Sequence, residues 1–404
     1  MQRVDSDRLS DRIDWLSPLN ALWGVVGIYI VGRLIIEHVF SIAPIWGGSL
    51  ESEHKALWLV AIFCAAVSIG VILAPRRPLV RMLFIPRGRL GERLGTLLSA
   101  VYIAIGLGAV LVLISRLGGL SRVLENQAAW ASQLKEMGLA PLYGLTFLLV
   151  IGSTVLAFRA LVRGQRLRAA VWFLCVLSVA LVLGRRVMIL FAALPLLSVV
   201  HYHLHRLDWR HVLVLGTVGF TLFTGILLLR LETGTGSLAE SVGTSLEYAV
   251  YDALVITVDD ADNLESLGPS YFARHPADFW GSNAGALFLQ RLTGFQWTGG
   301  ATPPTAVGTL WVYYGTVGLV VWGLVIGFCL GRLRLEATGS AAGALVYGFV
   351  LFFWFDFLRN GDIVLGLKLF IRYGAMLGFL LLCFYRPRLT AVRRLEYLPE
   401  GTAA

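Results

Sequence analysis

Ten apolar runs, each close to the length of a membrane-crossing helix, leave this chain few ways to fold. A hydrocarbon core of about 30 Å needs about 20 apolar residues per helix. That criterion selects Leu19–Phe40, Ala56–Ala74, Leu94–Ser115, Ala140–Val162, Ala169–Leu183, Val187–Leu204, Val212–Leu229, Ala306–Leu330, Ala341–Leu358 and Ile363–Tyr385. With 57% apolar and 15% charged residues, the chain is too apolar for a soluble domain of 404 residues. The expected class is an all-α polytopic membrane protein with about ten transmembrane helices in one membrane domain. Spans one to seven occupy 19–230, a long loop 231–305, and spans eight to ten 306–385; 1–18 and 386–404 are tails. The first tail carries Arg3, Arg8, Arg12 and four Asp. It does not read as a cleavable signal, so the first span is expected to serve as the insertion signal. Cys64, Cys175, Cys329 and Cys383 all fall inside apolar runs and read as small packing residues.

An even number of spans places both termini on one side, and Lys and Arg favour the cytoplasm. With the termini inside, 21 of the 34 Lys and Arg are cytoplasmic, ten face outward and three (Arg33, Lys368, Arg372) lie within spans. The 74-residue polar segment Glu232–Thr305 therefore faces outward, and a connection of that length is usually functional. The net charge of +9 follows from this topology and from attraction to anionic membrane lipid. Basic residues dispersed over membrane turns give a nucleic-acid reading little support.

The outward side holds unusual chemistry. The fifth run has only 15 apolar residues, about 22 Å of helix. Arg185 and Arg186 at its tip are thereby drawn toward membrane depth, where a charge persists only with a partner or a water-filled cavity; snorkelling to head groups is the alternative. Lys368 and Arg372, spaced i, i+4, share a face of the last span, with Asp356, Asp362 or Glu37 as candidate partners for a structural ion pair. Arg33 and Glu37 repeat that spacing and read as a local salt bridge. The turn Leu358-Arg-Asn-Gly-Asp-Ile363 puts Arg359 at the outward mouth.

Within the long loop, Leu238, Val242, Leu246, Ala249 and Ala253 follow helical spacing, with Glu240, Thr244, Glu247 and Tyr251 on another face. The pattern predicts an amphipathic helix lying on the membrane, with Asp252 at the boundary of its faces. Asp259-Asp-Ala-Asp262 reads as a solvated acidic turn. In Arg274-His275-Pro276, the histidine is a candidate proton acceptor beside an arginine. His201, His203, His205 and His211 read as an interfacial helix end rather than a metal site. Gly323, Gly327 and Gly331, and separately Gly374 and Gly378, form small-residue ridges that should let helices pack closely.

Several of these segments together resemble the bacterial oligosaccharide repeat-unit polymerases, the Wzy-type polymerases of O-antigen and exopolysaccharide. The resemblance is carried by Leu267-Gly-Pro-Ser-Tyr271, Pro276 with Phe279-Trp280, Gly299-Gly-Ala-Thr-Pro-Pro-Thr-Ala-Val-Gly308, Tyr313-Tyr-Gly-Thr-Val-Gly318, Leu358-Arg-Asn-Gly361 and Gly184-Arg-Arg. Thr309 stands where members often have an acidic residue, and Tyr313-Tyr314-Gly315 where they have Asn-Phe-Gly. The resemblance implies a metal-independent glycosyltransferase without cofactor in the bacterial inner membrane, both termini cytoplasmic and the active side periplasmic. It would join undecaprenyl-diphosphate-linked repeat units, donor to acceptor, with a chain-length regulator as a possible further partner. On that reading Arg186, Arg230, Arg359 and Arg372, with Arg185 in support, hold the diphosphate, and Lys368 belongs to the wider substrate-binding set. Arg274, Trp280 and Tyr314 contact substrate, and His275 or Asp252 is the base. An O-antigen ligase, a lipid-linked oligosaccharide flippase and a non-catalytic export partner remain as alternatives.

Overall fold

Each of the ten apolar runs is a helix in the computed structural model, which describes residues 14–38, 49–75, 80–125, 134, 137–231, 248–259, 305–361 and 363–391. The helices are α1 (Pro18–His38), α2 (Leu50–Leu73), α3 (Gly88–Arg116), the short α4 (Leu120–Glu125), α5 (Ala140–Val162), α6 (Arg166–Val182), α7 (Arg186–Val199), α8 (Trp209–Leu231), α9 (Tyr248–Asp259), α10 (Ala306–Gly339), α11 (Ala341–Asn360) and α12 (Ile363–Phe384). Among the described residues, seven helical stretches are long and apolar enough to cross a membrane: α2, α3, α5, α7 with its continuation to Leu204, α10 from Tyr314, α11 and α12 from Leu367. The protein is thus an all-α polytopic membrane protein. α6 has 17 residues, about 26 Å, and remains short for a bilayer core.

Local chemistry sets the helix ends. Ser49 caps α2 by accepting from the Ser52 amide, and Glu51 and Glu53 follow in the first turn, where negative charge suits the helix dipole. Thr305, the last residue of the Thr-Pro-Pro-Thr run, caps α10 through the Gly308 amide. Gly184 adopts φ 57° in the three-residue connection Leu183–Arg185 from α6 into α7, and Gly361 ends α11 with φ 65°.

Three features differ from the expected pattern. First, α10 runs nine residues beyond Leu330 and is kinked at Gly315, whose φ 65° and ψ −172° suit glycine alone. Its first turns, including Ala306, Val307 and Leu310, are buried. Second, of the expected amphipathic helix Leu238, Glu240, Val242, Thr244, Leu246 and Glu247 lie outside the described residues, and the part that is described, within α9, does not lie on a surface. Tyr251, Ala253, Leu254, Val255 and Val258 are buried, and α9 packs on α1, α2 and α10. Third, two strands join the fold: β1 (Val80–Pro86) pairs antiparallel with β2 (Tyr385–Ala391), from Pro86 opposite Tyr385 to Val80 opposite Ala391. β2 continues directly from α12 and β1 leads into α3, so the sheet ties those two helix ends together.

The glycine ridge on α10 packs as expected, against α2 inside the bundle. A Cβ at Gly327 would overlap the Val67 carbonyl oxygen, one at Gly323 would come 2.7 Å from the Ala66 Cβ, and one at Gly331 2.7 Å from the Ala74 Cβ. The second ridge packs only at its first member: a Cβ at Gly374 would come 3.5 Å from the Phe349 ring of α11, whereas one at Gly378 would meet nothing within 4 Å. Cys64 and Cys383 are buried in the core, whereas Cys175 and Cys329 are exposed.

At one end of the bundle Asp14 gathers several elements. It accepts from Arg334 Nε of α10 at 2.8 Å, from the Tyr202 hydroxyl at 3.2 Å and from His201 Nε2 at 2.9 Å. His201 Nδ1 accepts from the Leu207 amide at 3.1 Å, so Nε2 carries the proton. His201 and Tyr202 lie in a π-helical turn, Val200–Leu204, that continues α7. Burial opposes the charged carboxylate, but the His201 hydrogen bond and the Arg334 guanidinium outweigh it and hold the Asp14 carboxyl below its ordinary range.

Candidate functional site

At the opposite end, the starts of α5, α7 and α12 converge with their cations. Arg185 is the N-cap residue of α7 and Arg186 its first residue, a consequence of the Gly184 hairpin. The Arg185 guanidinium lies 5.4 Å from the centre of the Tyr143 ring in the first turn of α5. Arg372 comes from α12, about two and a half turns into that helix. Its side chain leaves the Cα toward the helix N-terminus, and its guanidinium reaches the next residue of α5. A Cβ at Gly144 would stand 2.9 Å from Arg372 Nη2 and 3.1 Å from Nη1. Two cations from different helices thus meet consecutive residues, and a side chain at 144 would crowd one of them.

The backbone adds to this positive field. Neither Leu139 nor Arg185 caps its helix with a side-chain hydrogen bond, and α5 has Pro141 in its opening turn. Helix starts carry partial positive charge and amide donors, which suits an anion. Arg185 Nε and Arg186 Nη1 are buried atoms. Lys368 is exposed one turn nearer the start of α12 than Arg372.

Below the cations lies an aromatic floor. The Phe191 ring is surrounded by those of Phe147 at 5.6 Å, Phe349 at 5.2 Å, Phe352 at 5.0 Å and Tyr373 at 5.9 Å. Tyr373 in turn stacks on Phe147 at 4.7 Å and has the Arg372 guanidinium 5.5 Å from its ring. Such a floor lowers the local dielectric and strengthens each charge above it.

A second polar cluster lies on α1, α2 and α9. Arg33 bonds three carboxylates: Asp252 Oδ1 through Nε at 2.8 Å, Glu37 Oε2 through Nη1 at 2.6 Å and Glu53 Oε1 through Nη2 at 2.7 Å. Asp252 is only 1% exposed, and the Tyr251 ring sits 5.5 Å from the Arg33 guanidinium. Burial pushes the Tyr251 hydroxyl up to about 12. Further along α9, Asp259 accepts from Ser52 Oγ and Ser49 Oγ, and those bonds hold its carboxyl below the ordinary range. Two acidic side chains thereby anchor α9 to the bundle. Beside it runs a small apolar cleft, about 40 Å³, lined by Tyr29, Val60, Phe63, Tyr251, Leu254 and Leu358 among others.

The structure thus brings Arg185 and Arg372 of the expected set together on the first turn of α5, with Arg186 next in sequence to the one and Lys368 a helical turn from the other. Asp252 sits with Arg33 on α9 instead. Arg359 occupies the last turn of α11, where a cation suits the helix dipole. Tyr314 is half exposed at the α10 kink, its ring 6.3 Å from Trp322. Trp311 has the Lys55 ammonium 4.7 Å from its ring. Arg274, His275, Trp280 and the Arg230 side chain lie outside the described residues. Of the partners considered for Arg372, Glu37 is held by Arg33. Sequence reasoning missed Tyr143 and Gly144, which carry no charge and sit in an ordinary apolar run.

Among protein-family models, curated proteins and solved structures, none matches this chain.

Proposed function

We propose that the protein is a membrane glycosyltransferase of the repeat-unit polymerase type, acting without metal or cofactor. It moves a growing glycan from a polyprenyl-diphosphate carrier to a hydroxyl of an incoming lipid-linked repeat unit. The observation that carries this reading is the meeting of Arg185 and Arg372 on the first turn of α5, above an aromatic floor. In the reaction the bond from the anomeric carbon to the phosphate oxygen breaks and a bond to the acceptor oxygen forms. The acceptor proton passes to a base, and negative charge grows on the departing diphosphate. Fixed guanidinium groups over a low-dielectric floor stabilise that charge more in the transition state than in the ground state. Arginine suits the task because its planar fork binds phosphate oxygens in pairs and stays charged. In this reading the Arg185 end faces the periplasm of a bacterial inner membrane. His275 or Asp252 takes the proton, and Asp252 would have to do so while held by Arg33.

The test uses purified protein in nanodiscs with lipid-linked repeat units and no nucleotide sugar or added metal. A ladder of lengthening glycans is expected, cut about 100-fold or more in rate by Arg185→Gln or Arg372→Gln. Intact substrate would overturn the polymerase reading; transfer appearing only once a lipid A–core acceptor is added would identify a ligase instead.

A further inference from the structure

The far end of α5 from the candidate site carries an unbalanced positive surface. There β1 and β2 join the start of α3 to the end of α12. Arg159 of α5 holds that junction: its guanidinium lies 4.7 Å from the Phe384 ring and donates to the Tyr385 hydroxyl at 3.2 Å. Phe84 and Tyr385 face inward, their ring centres 6.4 Å apart. Side chains alternate along a strand, so Ile85, Arg386 and Arg388 face outward, and all three are exposed. Arg89 and Arg93, four residues apart on the first turns of α3, and Arg166 at the start of α6 are exposed as well. These five arginines meet no carboxylate among the described residues, and Glu92, which lies between two of them in sequence, is shared by Arg159 and Arg163. Apolar side chains are interleaved with the cations. Leu90 beside Arg89 and Leu167 beside Arg166 are each 81% exposed. Open to water, such leucines gain nothing; at the edge of a bilayer they dip among lipid chains while the neighbouring arginines reach phosphate.

We infer that this surface is a binding site for an anionic phospholipid of the membrane leaflet at that end. Arg386 and Arg388, about 7 Å apart along the strand, hold the phosphate group together with Arg89 and Arg93, and the acyl chains lie along Leu90 and Leu94 of α3. An acidic protein or a nucleic acid would complement the arginines but not the leucines between them, so the combined pattern favours lipid. Bound lipid offsets the repulsion among like charges gathered on the sheet and on α3, and so supports the junction between α3 and α12. The inference is independent of the glycosyltransferase reading.

The test places a photoreactive amino acid at Leu90 in the full-length protein and, separately, at Val325, an exposed position in the middle of α10. Each is reconstituted in nanodiscs of phosphatidylcholine with a minor share of phosphatidylglycerol and irradiated, and the attached lipids are identified by mass spectrometry. Each arginine at an anionic surface favours the charged lipid about fivefold. The ratio of phosphatidylglycerol to phosphatidylcholine should therefore be at least about tenfold higher at 90 than at 325. Arg89→Gln, Arg386→Gln and Arg388→Gln together should bring the two ratios within about twofold of each other, with the yield at 325 unchanged as a check that the variant is folded. Arg116→Gln with Arg122→Gln removes exposed cations at the other end of α3 and should leave the ratio at 90 as it was. Equal ratios at 90 and 325 in the wild type, an undiminished ratio in the triple variant, or an equal loss in the Arg116 and Arg122 variant would each overturn the inference. Displacement of phosphatidylglycerol by excess inorganic phosphate would overturn it too, assigning the arginines to a free anion.

Discussion

Arg33 is shared by three carboxylates, and that imbalance predicts an asymmetry between substitutions. In Arg33→Leu, Asp252, Glu37 and Glu53 are left facing one another. Carboxylates grouped around the space of one guanidinium stand roughly 5 Å apart, where each pair repels by roughly 3 kcal/mol at an effective dielectric of 20. Relaxation and protonation cap the loss near the value for a buried charge stripped of its partner, about 3–5 kcal/mol. In Asp252→Leu, Arg33 keeps Glu37 and Glu53, and the loss is that of one charge-assisted bond, about 1.5–3 kcal/mol. The readout is amide hydrogen exchange of α9 (Tyr248–Asp259) in the full-length protein, which reports the free energy of local opening. Exchange should accelerate about 100-fold or more in Arg33→Leu and about 10- to 100-fold in Asp252→Leu. Lowering the pH from about 7 to about 5 should restore protection only in Arg33→Leu, because protonation relieves the repulsion. Equal acceleration in the two variants, or a larger one in Asp252→Leu, would refute the shared-cation account.

Gly327→Ala should cost about 1–3 kcal/mol in denaturant unfolding, since its Cβ meets the Val67 backbone, whereas Gly378→Ala should be neutral or gain up to about 1 kcal/mol. Asp14→Asn should cost about 3 kcal/mol at neutral pH, measured by thermal unfolding in detergent. The Asp14 carboxyl is depressed in the folded protein, so its contribution is present above the ordinary value of 3.8 and is lost as pH falls through the lower folded value. The stabilities of the wild type and the Asp14→Asn variant should therefore converge only in strong acid. Gly315→Ala should lose about 1–3 kcal/mol from a backbone angle that side chains rarely adopt, read as faster exchange in the first turns of α10.

The helices were legible because each must hide about 20 apolar residues, and that requirement is local. Interhelical geometry is not local, and there the sequence reading divides. Gly323, Gly327 and Gly331 packed as a ridge against α2, yet Gly378 with the same spacing faces open space, because spacing reveals a small surface but not which helix comes to it. An amphipathic surface helix was expected from the spacing of Leu238, Val242, Leu246, Ala249 and Ala253, with Asp252 at the boundary of its faces, yet Asp252 is buried on α9. Arg33, 219 positions away, makes Asp252 buriable. The strands escaped notice since their pairing joins segments about 300 residues apart, each carrying proline. For the candidate site, charge singled out Arg185, Arg186, Lys368 and Arg372. That Arg185 and Arg372 meet on Tyr143 and Gly144 depends on helix packing, which no local pattern encodes.

The most direct test of a cationic site that stabilises a leaving diphosphate is to count polyprenyl diphosphate released per glycosidic bond formed, in wild type and in Arg185→Lys and Arg372→Lys. One molecule released per bond, with kcat lowered at least about tenfold in both variants because lysine lacks the paired fork, is the predicted result. Glycan extension without diphosphate release, or variants turning over at the wild-type rate, would contradict it.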